Sequence, residues 1–349
     1  MTTDEIKLRQ LTNQYLIIPT DRLTVARDLL GFQAQFMANA MHSMRIRCLD
    51  YSPDTLSDGL VKNWTVRGTV HVFAEDDLPL FKHCDNGKSY LLDEWHGYVH
   101  HITQQWTLTP ERQKYFSNII LDSLINTSRS REELKEICRI AGMTQVEEDS
   151  MFDQWGGGIR DLCERGFMCH VVQEKKAFKL CLPFKPIQED EAKLEMARRY
   201  FADFAPATVK DAMYFFHSTK AQVIDLLDKL PVRSVECGGK TYYYIENGKS
   251  YDKDIPDCIL LAGFDQLMLG YQKAESLYLP QEYIRGIFNL AGIVMPAVLL
   301  HGNVVGKWKN KNGRLSVELF GSVCEKDKKA IISEAEKTWA SLKRVEWIS

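Results

Sequence analysis

Apolar positions recur along this chain with two periods, one near 3.6 residues and one of 2, and the order of the two lays out the elements. A helical period covers residues 4–16. A second helix opens at Thr20, a residue type that caps helix N-termini, and ends near Gly31. A third covers 36–48, with Met37, Met41, Met44 and Cys48 at helical spacing. A polar stretch at 51–58 leads into a brief helix ending at Asn63. The period then shortens: Trp64 and Val66, then Val70 and Val72, alternate around Arg67-Gly68 as a hairpin. Three helices followed by a hairpin is the winged-helix order.

The order recurs. Ser130 and Glu133 have capping-box spacing ahead of a helix through Ile140. Another helix covers 158–164, and strands at 167–173 and 177–182 flank a polar turn, Glu174-Lys175-Lys176. In the third passage a helix covers 191–204, Pro206 and Thr208 open a helix through Phe216, and Ser218 opens the next. That last helix has Val223, Ile224, Leu226, Leu227 and Leu230 on its apolar face. Strands at 232–237 and 240–245 then enclose Gly238-Gly239, a strong two-residue hairpin signal. The recurrence is one of element order, without a residue-level repeat. From Ile255 onward short apolar runs dominate, at 258–263 and 293–300. Strands at 304–309 and 314–320 bracket the turn Asn310-Lys311-Asn312-Gly313, and a polar amphipathic helix, 326–342, closes the chain. The reading is an α+β protein of tandem winged-helix modules at 1–85, 86–188 and 189–250, with a β-barrel-like unit at 251–349.

Composition adds constraints. The chain has 349 residues, 45% hydrophobic and 26% charged, which is a globular balance. Its formal net charge of −3 excludes a generally basic nucleic-acid coat, so any DNA surface must be local. Nine cysteines are scattered without a C-x-x-C pair, which argues for reduced buried thiols and against a disulfide framework or a structural zinc site. The first residues are charged and lack a signal-peptide core. The longest apolar run, 287–300, carries Asn289 and Pro296 and is too short to cross a bilayer. These features lead to the expectation of a cytoplasmic protein with no membrane partner.

Four segments carry a resemblance to a known family: Leu30-Gly-Phe-Gln-Ala-Gln35; Trp64-Thr-Val-Arg-Gly-Thr-Val-His71 with Asp77 following; Arg198-Arg-Tyr200 through Pro206-Ala-Thr208 and Asp211; and Phe264-Asp-Gln-Leu-Met-Leu-Gly-Tyr271. In this order they resemble the AlkZ-like winged-helix DNA glycosylases, over about 22–320. The resemblance implies a C-shaped molecule with duplex DNA in its concave channel. It also implies a catalytic motif of two glutamines around one apolar residue, matched here by Gln33-Ala34-Gln35. Some relatives carry Asp at the second position, and this chain keeps Gln. Ala205 stands before Pro206 where the family leads one to expect Gly.

The chemistry of two amides restricts the substrate. Cleaving a purine glycosidic bond develops positive charge on the sugar and needs a water on the far face. A glutamine amide can orient that water and offer a carbonyl dipole to the sugar, but it has no pKa that would make it a general base. A purine alkylated at N7 or N3 is already cationic and leaves without protonation. Positioning alone then supplies several kcal/mol. The expected activity is therefore removal of cationic alkylpurines from DNA, crosslinks joined through such bonds included, by a monomer needing neither metal nor cofactor. No lysine stands beside the two glutamines to form a Schiff base, so strand cleavage is not expected. The alternative is a non-catalytic winged-helix DNA-binding protein, such as a transcription regulator.

Candidate DNA contacts are Arg67 at the first hairpin turn, Arg45 and Arg47 at the end of the third helix, and a basic hairpin of Lys307, Lys309, Lys311 and Arg314 around Trp308. His71 is equally readable as a satisfied structural residue. Asp265, in an apolar stretch, reads first as a buried acceptor and second as a group shaping the site. His96 and His100 share i, i+4 spacing but lack the remainder of a zinc motif. Gly156-Gly-Gly158 reads as a helix-entry turn, since it lacks the lysine of a phosphate loop.

Overall fold

A computed structural model describes residues 1–65, 67–81, 107–153 and 156–348. His96, His100 and Cys84 lie outside the described residues. The chain divides into two compact units, one formed by Met1–Asp54 with Leu194–Ser349 and the other by Thr55–Lys193. The class is α+β, as expected.

The first unit opens with α1 (Thr3–Asn13), closed by a reciprocal capping box between Thr2 and Glu5. Helix α2 (Arg22–Asp28) is capped by Asp21, whose carboxylate accepts the N–H of Thr24 at 2.9 Å. Thr20, expected as that cap, is used otherwise: its backbone exchanges hydrogen bonds with Arg47 and Leu49 in a bridge beside Cys48. A two-residue strand, β1 (Phe32–Gln33), and α3 (Met37–Arg45) follow.

In the second unit, β2 (Leu60–Trp64) pairs antiparallel with β3 (Val70–Ala74). The stretch through Asn63 is thus strand, where the sequence pattern suggested a brief helix. Four of its five residues are buried, so the alternation that marks a half-exposed strand is missing. Beyond α4 (Leu78–Phe81) come α5 (Pro110–Ser123), β4 (Arg129–Ser130), α6 (Arg131–Ile140), α7 (Gln145–Met151), α8 (Gly157–Glu164), β5 (Met168–His170) and β6 (Ala177–Leu180). Helix α6 has the expected capping box of Ser130 and Glu133. Within this unit the strands run in the order β3-β2-β5-β6-β4. The hairpin of β2 and β3 therefore belongs with residues 55–193, although the four-module scheme groups it with the first three helices. Asn63 shows why: its buried amide donates to the carbonyls of Cys163 (3.0 Å) and Met168 (3.1 Å). The Gly156 to Gly158 stretch is the helix-entry turn that was expected. A side chain on Gly157 would collide with the carbonyls of Ser150 and Met151.

The first unit resumes in α9 (Glu189–Arg199). Then α10 (Val209–Phe216), α11 (Lys220–Asp228) and the hairpin of β7 (Arg233–Cys237) with β8 (Lys240–Tyr244) give the helix, helix, hairpin order read from the sequence. Thr208 and Thr219 cap the two helices, the latter one residue beyond Ser218, and both form capping boxes. The C-terminal strands β9 (Cys258–Leu260), β10 (Ala297–Leu300), β11 (Asn303–Lys311), β12 (Arg314–Leu319) and β13 (Arg344–Ile348) form one sheet in the order β13-β12-β11-β10-β9. Here the barrel-like expectation is corrected: the sheet is open, with β9 and β13 as its two edges. The chain also does not finish on a helix. After the short helices α12 (Gln266–Leu269) and α13 (Ile284–Ile287) and the longer α14 (Glu325–Thr338), β13 returns parallel to β12. Helix α14 covers the sheet, placing Ile331 and Ala335 against Leu260, Val298, Trp308, Leu315 and Val317. The β11–β12 turn is shorter than read, since Asn310 and Lys311 are still paired and only Asn312 (φ 54°) and Gly313 (φ 79°) turn the chain.

One ion pair lies at the centre of the first unit. Arg47 and Asp265 are both fully buried, and the guanidinium meets the carboxylate through two hydrogen bonds of 2.6 and 2.9 Å. Its remaining donors reach the Gln14 carbonyl (3.0 Å) and Ser43 Oγ (2.9 Å). Arg47 thus has no surface to offer DNA, and its sequence reading as a DNA contact is corrected to a structural role. Truncating one member strands a buried charge. Arg47→Met should lower unfolding free energy by about 3–5 kcal/mol, and the double change Arg47→Met, Asp265→Leu should recover much of that loss. Urea unfolding followed by circular dichroism reads both; additive losses in the double variant would show that the two charges do not compensate each other.

Candidate functional site

The segment bearing the two glutamines is extended, as its position after Gly31 suggested. Leu30 and Gly31 take positive φ values of 54° and 85°, which end α2 and turn the chain into β1. Burial then alternates: Phe32 and Ala34 are fully buried, Gln33 is half-buried and Gln35 is exposed. An extended backbone sends successive side chains to opposite sides, so the apolar pair faces the core and the amides face outward. Among the described residues no side chain is hydrogen-bonded to either amide.

What anchors the segment is distant in sequence. Asp265 caps α12 (Gln266–Leu269) while it binds Arg47. The next residue, Gln266, is buried and donates its amide to the carbonyl of Gly31. The preceding residue, Phe264, stacks on Phe36 at 5.9 Å between ring centroids. Gly263 lies against the Asn39 side chain, where a Cβ would press on the amide. The Phe264-Asp-Gln-Leu stretch is therefore the bed on which residues 31–39 rest. Asp265, weighed as acceptor or site-shaping group, is a buried acceptor, and it is its neighbour Gln266 that reaches the Gly31 carbonyl. Sequence reasoning missed Gln266, and its only signal was membership in a stretch of family resemblance.

The cationic candidates separate. Lys307, Lys309 and Lys311 share the outward face of β11, with Trp308 turned inward. Lys307 is paired with Glu318 at 2.9 Å. Lys309 and Lys311 are exposed, as is Arg314, and register places Lys311 opposite Arg314 and Arg314 opposite Arg344. A row of three cations thus crosses three strands at the hairpin end, and like charges set opposite each other are unfavourable without an anion. Arg344 went unnoticed in the sequence because β13 was not read; it carries an ion pair with Glu346. Arg45 is half-buried, donates to the Thr338 carbonyl (3.3 Å) and lies over the Tyr51 ring. Arg67 sits in the β2–β3 turn as read.

Two buried histidines and two buried thiols are held neutral. His71 is fully buried, with Nδ1 near Thr65 Oγ1 (3.1 Å) and the Thr69 carbonyl (3.0 Å), and burial pushes its pKa down to about 3. His42 is buried between Trp308 and Trp339, bonds the Leu260 carbonyl at 2.7 Å and is pushed down by burial to about 4. Burial raises the thiols of Cys48 and Cys138 to about 12, which keeps them inert. No cysteine among the described residues is paired. Among them, no cluster of His, Cys, Asp or Glu is arranged to hold a metal, and no helix is long and apolar enough to cross a membrane.

Fold and surface together describe an α+β protein with an amide-bearing segment and a cationic hairpin. A family model described as DNA glycosylase AlkZ-like matches residues 151–340, more than half of the chain, and the protein belongs to this AlkZ-like DNA glycosylase family. The match begins beyond Gln35. The interstrand DNA cross-link repair glycosylase of Streptomyces sahachiroi is 26% identical over 339 residues, covering 89% of this chain and 88% of its own. The solved structure of the Streptomyces sahachiroi DNA glycosylase AlkZ superposes with a TM-score of 0.77 at 21% identity, covering 100% of both chains, which establishes the shared fold.

The two histidines have lowered folded pKa values, so the unfolded chain binds protons first as pH falls. Their contribution to stability is complete above about pH 6.5 and is lost as pH drops toward 4 and then 3. NMR titration should find both imidazoles neutral at pH 5. His42→Gln should flatten the acid limb of the stability profile, and an unchanged limb would contradict the assignment.

Proposed function

We propose that the protein is a monofunctional DNA glycosylase that hydrolyses the N-glycosidic bond of cationic N7- and N3-alkylpurines, with Gln33 and Gln35 placing the attacking water. One observation carries this reading: the two amides stand accessible on an extended segment whose apolar residues are locked into the core. A polar pair with no part in the fold, on a backbone fixed by buried hydrogen bonds, is what water positioning requires. The name of the Streptomyces relative extends the reading to purine adducts that crosslink the strands.

The amides act by orientation. A carbonyl oxygen accepts from the water while the amide dipole faces the positive charge growing on the sugar. Neither group takes a proton at neutral pH, so the alkylated base must supply the lability. We read the helix, helix, hairpin order at 209–244 as a winged helix, and the protein as a monomer on duplex DNA. Lys309, Lys311 and Arg314 contact phosphates, with Lys307 shared between DNA and Glu318; Arg45 and Arg67 stand secondary to them.

Incubation with a duplex holding one N7-methylguanine should release the base and leave an abasic site, with the strand intact until alkali is added. Gln33→Ala and Gln35→Ala should each slow release by roughly ten- to a thousandfold with DNA affinity retained. Equal rates would remove these residues from the mechanism. Affinity without any release would favour the regulator reading. In the same assay, neutralising Lys309, Lys311 or Arg314 should weaken binding on all sequences and reduce the salt slope by about one each.

A further inference from the structure

Leu290 is 88% exposed, the most exposed large apolar side chain among the described residues. It does not sit on a loose loop. Phe288 and Val294 form an antiparallel bridge, and between them a tight turn is closed by three hydrogen bonds. Asn289 N–H donates to the Ile293 carbonyl (3.0 Å), Gly292 N–H to the Asn289 carbonyl (3.3 Å) and Ile293 N–H to Asn289 Oδ1 (2.9 Å). Gly292 supplies the positive φ of 77° that the turn demands. Residues 286–296 contain no charged side chain, so the tip brings no anion toward a phosphate backbone.

The base of this hairpin is joined to the amide-bearing segment. Phe264 N–H donates to the Val294 carbonyl at 3.1 Å, and the Phe264 ring stacks on Phe36, the neighbour of Gln35. Lys273 lies 5.5 Å from the Phe288 ring centroid, a cation beside the root of the apolar tip. A rigid turn that holds an isobutyl group in water, fixed to the bed of the glutamines, has the form of a wedge for a base stack.

We infer that Leu290 is a specificity-determining wedge that enters the duplex next to the modified purine and fills the space opened when that nucleotide leaves the stack. The inference rests on the DNA-glycosylase reading. Insertion unstacks a base step, which is least costly where the helix is already weakened by a lesion. The side chain makes no covalent step; it selects the weakened site and holds it open.

The test uses the full-length protein and a duplex bearing a stable abasic-site analogue with 2-aminopurine beside it, so that insertion is read without base release. The parent should raise 2-aminopurine fluorescence several-fold. Leu290→Ala should lose most of that rise, Leu290→Phe should keep it, and on N7-methylguanine Leu290→Ala should lower the single-turnover rate by at least about tenfold. Thermal unfolding should be nearly unchanged, because the side chain is almost wholly exposed. Equal fluorescence from Leu290→Ala and parent overturns the wedge, as does a parent that leaves fluorescence unchanged. If the parent gives the fluorescence rise but releases no base, the glycosylase reading fails and the wedge stands.

Discussion

The amide-bearing segment depends on the buried pair of Arg47 and Asp265. Taking both charges out of water costs several kcal/mol per ion, and only close geometry with every donor matched offsets that cost. Here the match is dense: the guanidinium serves the carboxylate, the Gln14 carbonyl and Ser43 together. An apolar pair of similar volume could fill the same space. It would not fix direction. The ion pair sets the register of 264–268 against α3, and register places the Gln266 amide on the Gly31 carbonyl. A shift of one residue in either partner would bring Leu267 to that carbonyl and leave both groups unsatisfied. The stability of the first unit and the aim of Gln33 thus depend on the same hydrogen bonds.

This arrangement suits a site without titrating groups. The segment has no acid or base among residues 30–36, and the nearest histidine along the chain, His42, is buried and neutral. Under the proposed reading the protein supplies position and dipoles, and the substrate supplies its own leaving-group activation. Affinity is assigned to a separate place. Under the same reading, a molecule of net charge −3 meets DNA at a local cluster, Lys309, Lys311 and Arg314, at one end of the C-terminal sheet. Coulombic attraction there is long-ranged and blind to sequence, whereas water placement by amides is short-ranged and demands rigidity.

Local signals in the sequence were legible where local chemistry decides the outcome. The capping box at Ser130, the helix opening at Thr208 and the turn glycines Gly238, Gly239 and Gly313 all stand where their hydrogen bonds and φ angles require. The misreadings share a different cause. Leu60–Trp64 is buried on both faces and so carries no alternation. Strand β13 exists because β12 offers it an edge, a fact found nowhere in residues 344–348. The open order of the C-terminal sheet likewise follows from pairings between distant segments. The glutamine pair is anonymous as two polar residues in a loop; only the resemblance marked it. Gln266 lies 235 residues from the carbonyl it binds, beyond any pattern read along the chain.

The same dependence on distant partners bears on why an apolar tip is retained in water at Leu290. A surface leucine contributes nothing to folding at that exposure, and a polar residue would keep the turn, since the closing hydrogen bonds come from Asn289 and the backbone. The turn's geometry therefore does not account for the side chain. The base of the turn offers an account, because Val294 bonds Phe264 and Phe264 supports Phe36. A hairpin docked on that bed is tied through Phe264 to the segment that bears Gln35. Offset matters to an enzyme whose amides cannot adjust by moving protons. If the nucleotide is held open by a wedge mounted on the same bed as the amides, the sugar meets them at a distance set by the fold, and placement replaces acid–base chemistry as the source of rate.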